Sequence, residues 1–416
     1  MRYEFAVRIA HVTDCYLPRL GGIELQVHDL ASRQAARHEV TIFTITEGAS
    51  GCPSAWAADL RAGNGVEVVN VGATRRLAAL ARLPMPSRSR DGKTPVEKIR
   101  YRSAGFGPAQ VAAGEFDIVH VHASSFSPLA FLVARQASRR GVPTVATVHS
   151  MWAKASPLFD GADLLCGWGD WPVAWSAVSE AAALPLRNIV GRRGQVTVLA
   201  NGVDPTHWDI EPIPPTPNQM RIVAVARLAP RKRVIQLVHI LRRARATIPA
   251  SVDVSVEILG DGPQMGEIRS YVDLHAMGGW VHLRGRVTRA EIRETFARSD
   301  LFVAPASLES FGIAALEART AGLPVLARTR TGVADFIRHG VEGWLVSSDA
   351  AMSETISSLA RSPELLARVA VYNRIHPAAV DWGTVERTCQ NLYERAALIQ
   401  GRSLGAALPV EEAVTR

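Results

Sequence analysis

Short apolar runs rich in β-branched residues alternate with longer segments of helical period along nearly the whole chain. In the first half this pattern predicts strands at Val7–Thr13, Val40–Thr46, Val66–Val71, Ile118–Val121, Thr144–Val148, Ala174–Val178 and Val196–Leu199. Helical segments such as Ile23–Ala36 and Leu129–Arg140 fall between several of them. The strands are continuously apolar, as a parallel sheet covered on both faces requires. The run Glu211-Pro212-Ile213-Pro214-Pro215-Thr216-Pro217 then breaks the pattern and predicts a stiff linker, since its prolines exclude a helix or a central strand. Beyond it the alternation restarts, with strands at Arg221–Ala226, Val254–Leu259, Trp280–Leu283, Leu301–Ala304, Val325–Ala327 and Trp344–Val346. Helices are expected at Arg233–Thr247, Ile268–Ala276, Arg289–Ala297 and Ile313–Ala321. The expectation is an α/β protein of two Rossmann-like, doubly wound domains, 1–205 and 206–384, facing a central cleft. Ligands of such sheets bind outside the carboxyl ends of the strands. A further helix is expected at about 385–400, followed by a loose tail over 401–416.

Composition narrows the class. The chain has 416 residues, 47% apolar and 21% charged, which suits a globular protein with more than one core. No apolar run approaches the roughly 20 residues needed to span a bilayer. Arg2, Glu4 and Arg8 interrupt the N-terminus where a signal-peptide core would lie. Cys15, Cys52, Cys166 and Cys389 are scattered, without CxxC, which argues against a disulfide framework or a structural zinc site and for a cytoplasmic setting. The net charge of +8 is concentrated between Arg75 and Arg102, where Arg75, Arg76, Arg82, Arg88, Arg90, Lys93, Lys98, Arg100 and Arg102 face only Asp91 and Glu97. Nucleic-acid binding is not expected, because Tyr101 is the one aromatic residue there that could stack on a base. Two readings remain: a solvated loop, or a surface that draws an anionic acceptor or the anionic inner face of a membrane.

Four places could carry chemistry. Gly21-Gly22 precedes a helix, where close backbone approach and free N–H groups suit a phosphate, although an ordinary loop would look the same. Arg227-Leu228-Ala229-Pro230-Arg231-Lys232-Arg233 places cations at a helix start, against the dipole preference, which suits a bound anion as well as a solvated basic loop. Glu309-Ser310-Phe311-Gly312-Ile313 opens a helix bearing Glu317, with the N–H groups of Phe311, Gly312 and Ile313 expected to be available. From the residues alone, Glu309 reads equally as a capping acid and Glu317 as an ion-pair partner. His149 closes a strand at the sheet's carboxyl edge, either as packing or as a reactive group. Asn201-Gly202-Val203-Asp204 and Gly260-Asp261-Gly262-Pro263 read as turns.

In order and spacing these pieces, with Ala321-Gly322-Leu323-Pro324-Val325 and Asp381-Trp382, resemble the GT4 family of retaining glycosyltransferases, which have the GT-B fold. The resemblance implies a hexosyltransferase that moves mannose, glucose or N-acetylglucosamine from a nucleotide-diphosphate sugar to an acceptor it does not identify, the basic segment 75–102 being what points to an anionic or lipid-linked one. It implies that Arg227 and Lys232 hold the diphosphate, Glu317 the ribose and Glu309 the donor sugar. Gly21-Gly22 would close over the phosphates and His149 would line the acceptor side. No Asp-x-Asp occurs, so no metal or other cofactor is expected, and the protein's own cations would stabilise the leaving group. A catalytically silent sugar-nucleotide binder and a sugar-nucleotide epimerase are the alternatives. Where the family usually has glycine after the lysine this chain has Arg233, which predicts an altered backbone at the helix start.

Neutralising Arg88, Arg90 and Lys93 together is expected to leave donor use intact while weakening sedimentation with anionic vesicles or use of an anionic acceptor. Unchanged behaviour in both assays would reduce the segment to a solvated loop.

Overall fold

The computed structural model describes residues 6–17, 21–46, 66–71, 101–104, 111, 116–152, 161, 163, 167–191, 195–214 and 216–404. The chain divides into two compact units, Met1–Ala200 with Gly383–Arg416, and Asn201–Trp382. Among the described residues each unit carries one parallel sheet.

The first sheet contains β1 (Arg8–Thr13), β2 (Glu39–Thr44), β3 (Val66–Val71), β4 (Tyr101–Ala104), β5 (Ile118–Ala123), β6 (Thr144–Val148), β7 (Ala174–Ala177) and β8 (Thr197–Val198). Their order in space is β4-β3-β2-β1-β5-β6-β7-β8. The chain winds outward from β1 to one edge, returns to β5 beside β1, and winds to the other edge, so the direction reverses between β1 and β5. Strands β5 and β6 are buried along their whole length, as central parallel strands must be. Helix Pro128–Arg139 returns its apolar Leu129, Ala130, Val133 and Ala134 face to the sheet.

The second sheet contains β9 (Gln219–Val225), β10 (Asp253–Leu259), β11 (Val281–Gly285), β12 (Leu301–Ala304), β13 (Val325–Arg328) and β14 (Gly343–Val346), ordered β11-β10-β9-β12-β13-β14. Here the reversal falls between β9 and β12. Val256, Ile258, Leu301, Val303 and Leu326 join Leu237, Val238 and Leu241 of helix Val234–Arg245 in one apolar core.

Strand positions follow the apolar pattern closely, with β6 and β12 at the expected residues. Four elements depart from it. Tyr101–Ala104 is a strand paired to β3, although it ends the segment read as a charged loop; residues 75–100 of that segment lie outside the described residues. Helix Glu180–Val190 is unannounced because Pro185 sits within it, yet Ser179 caps it through Ala182 N–H at 3.1 Å. Helices Asp349–Ala360 and Pro363–Ile375 complete the second unit. The proline run lies on the second unit, where Ile213 N–H donates to Ala297 O at 2.7 Å, and the division falls at Ala200/Asn201. Asn201-Gly202-Val203-Asp204 packs against the far end of that unit: Val203 bridges Asp381, and a Cβ on Gly202 would lie 2.4 Å from the Trp382 ring. The last helix, Trp382–Ile399, runs back along the first unit, where Arg395 donates to Gln195 Oε1 at 3.0 Å.

Gly260-Asp261-Gly262-Pro263 is more than a turn. It buttresses the basic loop after β9, with Leu228 N–H donating to Asp261 O and Gln264 N–H to Leu228 O, both at 3.0 Å. Gly260 has φ +135°, and a Cβ there would lie 1.9 Å from Ala226 O. Gly260→Ala is therefore expected to cost about 2–4 kcal/mol, combining backbone strain with displacement of a main-chain carbonyl. A urea midpoint equal to wild type would show that the loop relaxes freely.

Candidate active site

The loops that leave β9 and β12 flank the reversal point of the second sheet, the place where open α/β sheets bind ligands. After β9 the chain makes a short 3-10 turn, Pro230–Lys232, then places Arg233 in the left-handed region before helix Val234–Arg245 begins. Lys232 Nζ donates to Glu309 Oε2 at 2.5 Å, so the two residues are brought together. Both side chains are largely shielded, with 27% and 16% exposure, so their attraction is screened less than at an open surface. Arg227 is exposed, and its guanidinium makes no hydrogen bond or ion pair among the described residues.

The loop after β12 is fixed from behind by the turn Gly332–Asp335. Gly332 N–H donates to Glu309 O at 2.9 Å. Gly312 has φ +94° and passes Val333 so closely that a Cβ would lie 2.6 Å from its Cγ2. Phe311 anchors the loop in the core against Phe336, ring centroids 5.4 Å apart. The N–H groups of Phe311, Gly312 and Ile313 make no hydrogen bond to any described residue. Helix Ile313–Thr320 carries Glu317, half-buried, on its second turn. A cation from one strand-to-helix loop, with a carboxylate and N–H groups without described partners on the next, can receive a phosphate and hydroxyl groups together.

Arg233 does alter the local device, though not the helix. Its φ of +58° is the conformation that glycine adopts without strain and that costs another residue about 1–2 kcal/mol. Its guanidinium donates to both oxygens of Asp349, at 3.0 and 2.7 Å, and Arg328 donates to the same carboxylate. Asp349 opens helix Asp349–Ala360, so the basic loop is tied to a second helix start.

In the first unit, Gly21 is the extended N-cap of helix Gly22–Gln34, with φ −165°, and Gly22 is its first residue. Asp14, just past β1, accepts from Leu129 and Ala130 N–H at 2.9 and 3.1 Å and so caps helix Pro128–Arg139. Burial pushes its carboxyl up to about 6 against those hydrogen bonds.

His149 is buried and belongs to a larger cluster. His122 and His149 share a hydrogen bond of 3.0 Å, and His11 and His122 one of 2.9 Å. His11 Nε2 lies 2.7 Å from Gln34 Oε1, while Gln34 Nε2 donates to Tyr393 OH at 3.0 Å. Tyr393 OH lies 3.1 Å from His120 Nδ1, and His120 Nε2 lies 2.7 Å from Thr147 Oγ1. Thr147 and Ser176 hydroxyls meet at 2.7 Å, and Ser176 donates to Ala146 O at 3.3 Å. Burial is the main reason every imidazole is held neutral: His11 and His149 are lowered to about 4, and His120 and His122 well below 6.5, helped by their neighbouring rings. Ligand atoms of His11, His120 and His122 lie within 4.8 Å of one another. The His120 and His122 rings nevertheless lie face to face at 4.3 Å, and each ring nitrogen of the three already has a protein partner. That is a hydrogen-bond network rather than a set of lone pairs aimed at one point, as a metal requires.

Sequence reasoning missed His11, His120, His122, Gln34 and Tyr393. Its available signal was the alternation Ile118-Val119-His120-Val121-His122, which puts two imidazoles on one face of a central strand. Cys389 is a buried thiol, while Cys52 and Cys166 lie outside the described residues. No helix among the described residues is long and apolar enough to cross a membrane.

Two parallel α/β sheets with their loops at the reversal points define the two-domain GT-B architecture. Residues 20–207 match the family model for glycosyltransferase family 4, and residues 208–376 that for glycosyl transferases group 1. The chain belongs to the GT4-type glycosyltransferases. It spans about half the length of several curated relatives it matches, among them the glycogen synthase of Mycobacterium tuberculosis, 26% identical over 202 residues and 48% of either chain. The D-inositol 3-phosphate glycosyltransferase of Streptomyces scabiei is 26% identical over 415 residues, 90% of this chain and 86% of that one. Among solved structures, HepE of Anabaena in complex with UDP superimposes with a TM-score of 0.66 at 19% identity, covering 93% of this chain and 99% of its own.

The neutral histidines predict acid sensitivity. Their folded pKa values lie below the unfolded 6.5, so the unfolded chain takes up protons that the folded chain refuses. The stabilisation is present above pH 6.5 and is lost as pH falls from there towards 4. Asp14 opposes this in part, since its raised pKa favours the folded state in acid. Thermal denaturation is expected to show a lower Tm at pH 5 than at pH 7.5; a flat profile would mean that the imidazoles are not held neutral.

Proposed function

We propose that the protein is a retaining glycosyltransferase that moves a hexose from a nucleotide-diphosphate sugar to an acceptor hydroxyl, using its own cations in place of a divalent metal. The observation that carries this is the Lys232–Glu309 pair at the reversal point of the second sheet, with Arg227 on the same β9 loop and the N–H groups of Phe311, Gly312 and Ile313 on the β12 loop, all without hydrogen-bond partners among the described residues. In the reaction the bond from the anomeric carbon to the diphosphate oxygen breaks, and the acceptor oxygen bonds to that carbon on the same face. The acceptor's proton leaves with the departing diphosphate. Negative charge grows on that diphosphate, where Lys232 supplies a point charge, Arg227 a bidentate fork and the loop its N–H groups. Glu309, released from Lys232 by the incoming phosphate, hydrogen-bonds the sugar hydroxyls, and Glu317 takes the ribose. In the first unit His149 stands on the acceptor side. The solved complexes of HepE with UDP and UDP-glucose favour a uridine donor as the first probe. The basic segment 75–102 gives this chain an attraction for an anionic or lipid-linked acceptor at a membrane surface.

Calorimetry with UDP and GDP in the presence of chelator tests the grip, and turnover of a nucleotide-sugar panel tests the chemistry. Lys232→Ala and Glu309→Ala are each expected to lower kcat on the order of a hundredfold, as lost transition-state electrostatics do. Binding of neither nucleotide by folded protein would end the reading, and binding without turnover of any sugar nucleotide would leave a silent binder.

A further inference from the structure

The buried cluster in the first unit has a property that its individual contacts do not reveal: followed from the Ser176–Ala146 contact and the Gln34 amide as it is placed, its hydrogen bonds all run in one direction. The Ala146 main-chain oxygen can only accept, and the Ser176 hydroxyl directs its one hydrogen there at 3.3 Å. Ser176 Oγ must then accept from Thr147 at 2.7 Å. With its own hydrogen used, Thr147 Oγ1 must accept from His120 Nε2 at 2.7 Å. His120 is neutral and has one ring hydrogen, so its Nδ1 is bare and accepts from the Tyr393 hydroxyl at 3.1 Å. Tyr393, whose ionisation is pushed well above 10 by burial, is a neutral hydroxyl, and its oxygen accepts from Gln34 Nε2 at 3.0 Å. That fixes the amide, whose oxygen accepts from His11 Nε2 at 2.7 Å. His11 Nδ1 is then bare and accepts from His122 Nε2 at 2.9 Å, and His122 Nδ1 accepts from His149 Nε2 at 3.0 Å.

We infer that this one-way chain sets the tautomer of His149, holding its hydrogen on Nε2 and leaving Nδ1 as a bare acceptor at the carboxyl edge of the first sheet. Gln34, His11, His122 and Tyr393 are positioning residues that act through His149. No described residue makes a hydrogen bond to Nδ1. The chain draws on β1, β5, β6, β7, the end of helix Gly22–Gln34 and the final helix, so the returning helix contributes through Tyr393 to the chemistry of a residue on the opposite side of the cluster. Resting on the proposed glycosyl transfer, the consequence is a choice of ligand group: Nδ1 accepts a hydrogen bond from a sugar or acceptor hydroxyl and gives none to a phosphate or carbonyl oxygen.

The test needs no substrate. In the full chain labelled with 15N-histidine at pH 7.5, long-range proton–nitrogen spectra distinguish a bare ring nitrogen from a protonated one, and His149→Gln assigns the signals. Wild type is expected to show a single His149 tautomer with Nδ1 bare. Gln34→Leu removes the acceptor that orients His11, and a second tautomer carrying the Nδ1 hydrogen is expected, approaching equal population. Tyr393→Phe cuts the chain nearer its anchor and is expected to give the same second signal; either variant suffices if the other folds poorly. A wild-type His149 with its hydrogen on Nδ1 overturns the inference, as does an unchanged single tautomer in both variants. Failure of nucleotide binding would sink the proposed transfer while leaving this result standing.

Discussion

The first unit is organised by the requirement that buried polar groups find partners. Four imidazoles, an amide and three hydroxyls are buried together, and a fully buried polar atom left unpaired costs about 1–3 kcal/mol. Each therefore constrains the next, and the constraint extends beyond the sheet. Gln34 ends one helix and Tyr393 lies on another more than three hundred residues later in the chain, yet both must be in place for the row to close. Packing of the last helix against this unit is thus specified by polar matching as well as by apolar area. Cys389, one turn before Tyr393, receives the remaining Gln34 hydrogen at 3.6 Å and is a poor nucleophile there, with its thiol pushed up to about 12 by burial.

The second unit solves a different problem with backbone. Its loops stand close together: glycine lets the loop after β10 reach the β9 loop at Gly260 and lets the β12 loop reach the turn after β13 at Gly312, where a side chain would collide with the neighbour. The pair Lys232–Glu309 then joins the two buttressed loops, after β9 and after β12. Such a pair fixes both side chains against each other, and under the proposed glycosyl transfer a phosphate would take over the ammonium while sugar hydroxyls replace it at the carboxylate. Preorganisation of this kind reduces the rotamer entropy lost on binding.

Much of this was legible from the amino acids. Apolar β-branched runs locate the strands, and Glu309, Lys232 and Phe311-Gly312-Ile313 stand out because charge and glycine gather where helices begin. Tyr101–Ala104 was hidden because its strand follows a basic run and pairs at the edge of the sheet, where apolar pattern is weakest. The histidine row was hidden for the opposite reason. Each histidine lies in an apolar strand, and nothing local announces that β1, β5 and the end of β6 are neighbours; only the sheet order makes them one cluster.

Arg233 shows how sequence and structure can disagree on wording and agree on shape. The position asks for a left-handed backbone so that a 3-10 turn can feed helix Val234–Arg245, and glycine meets that demand at no steric cost. An arginine there must be compensated, and its fork reaches both oxygens of Asp349. Asp349 also takes Arg328, so one carboxylate answers two guanidinium groups and the dipole of its own helix start favours its charge. What glycine gives by having no side chain is obtained here with a long one. The consequence is that the geometry of the lysine loop depends on a partner at the start of another helix, and a loop that would otherwise be set locally is coupled to the packing of helix Asp349–Ala360 against helix Val234–Arg245.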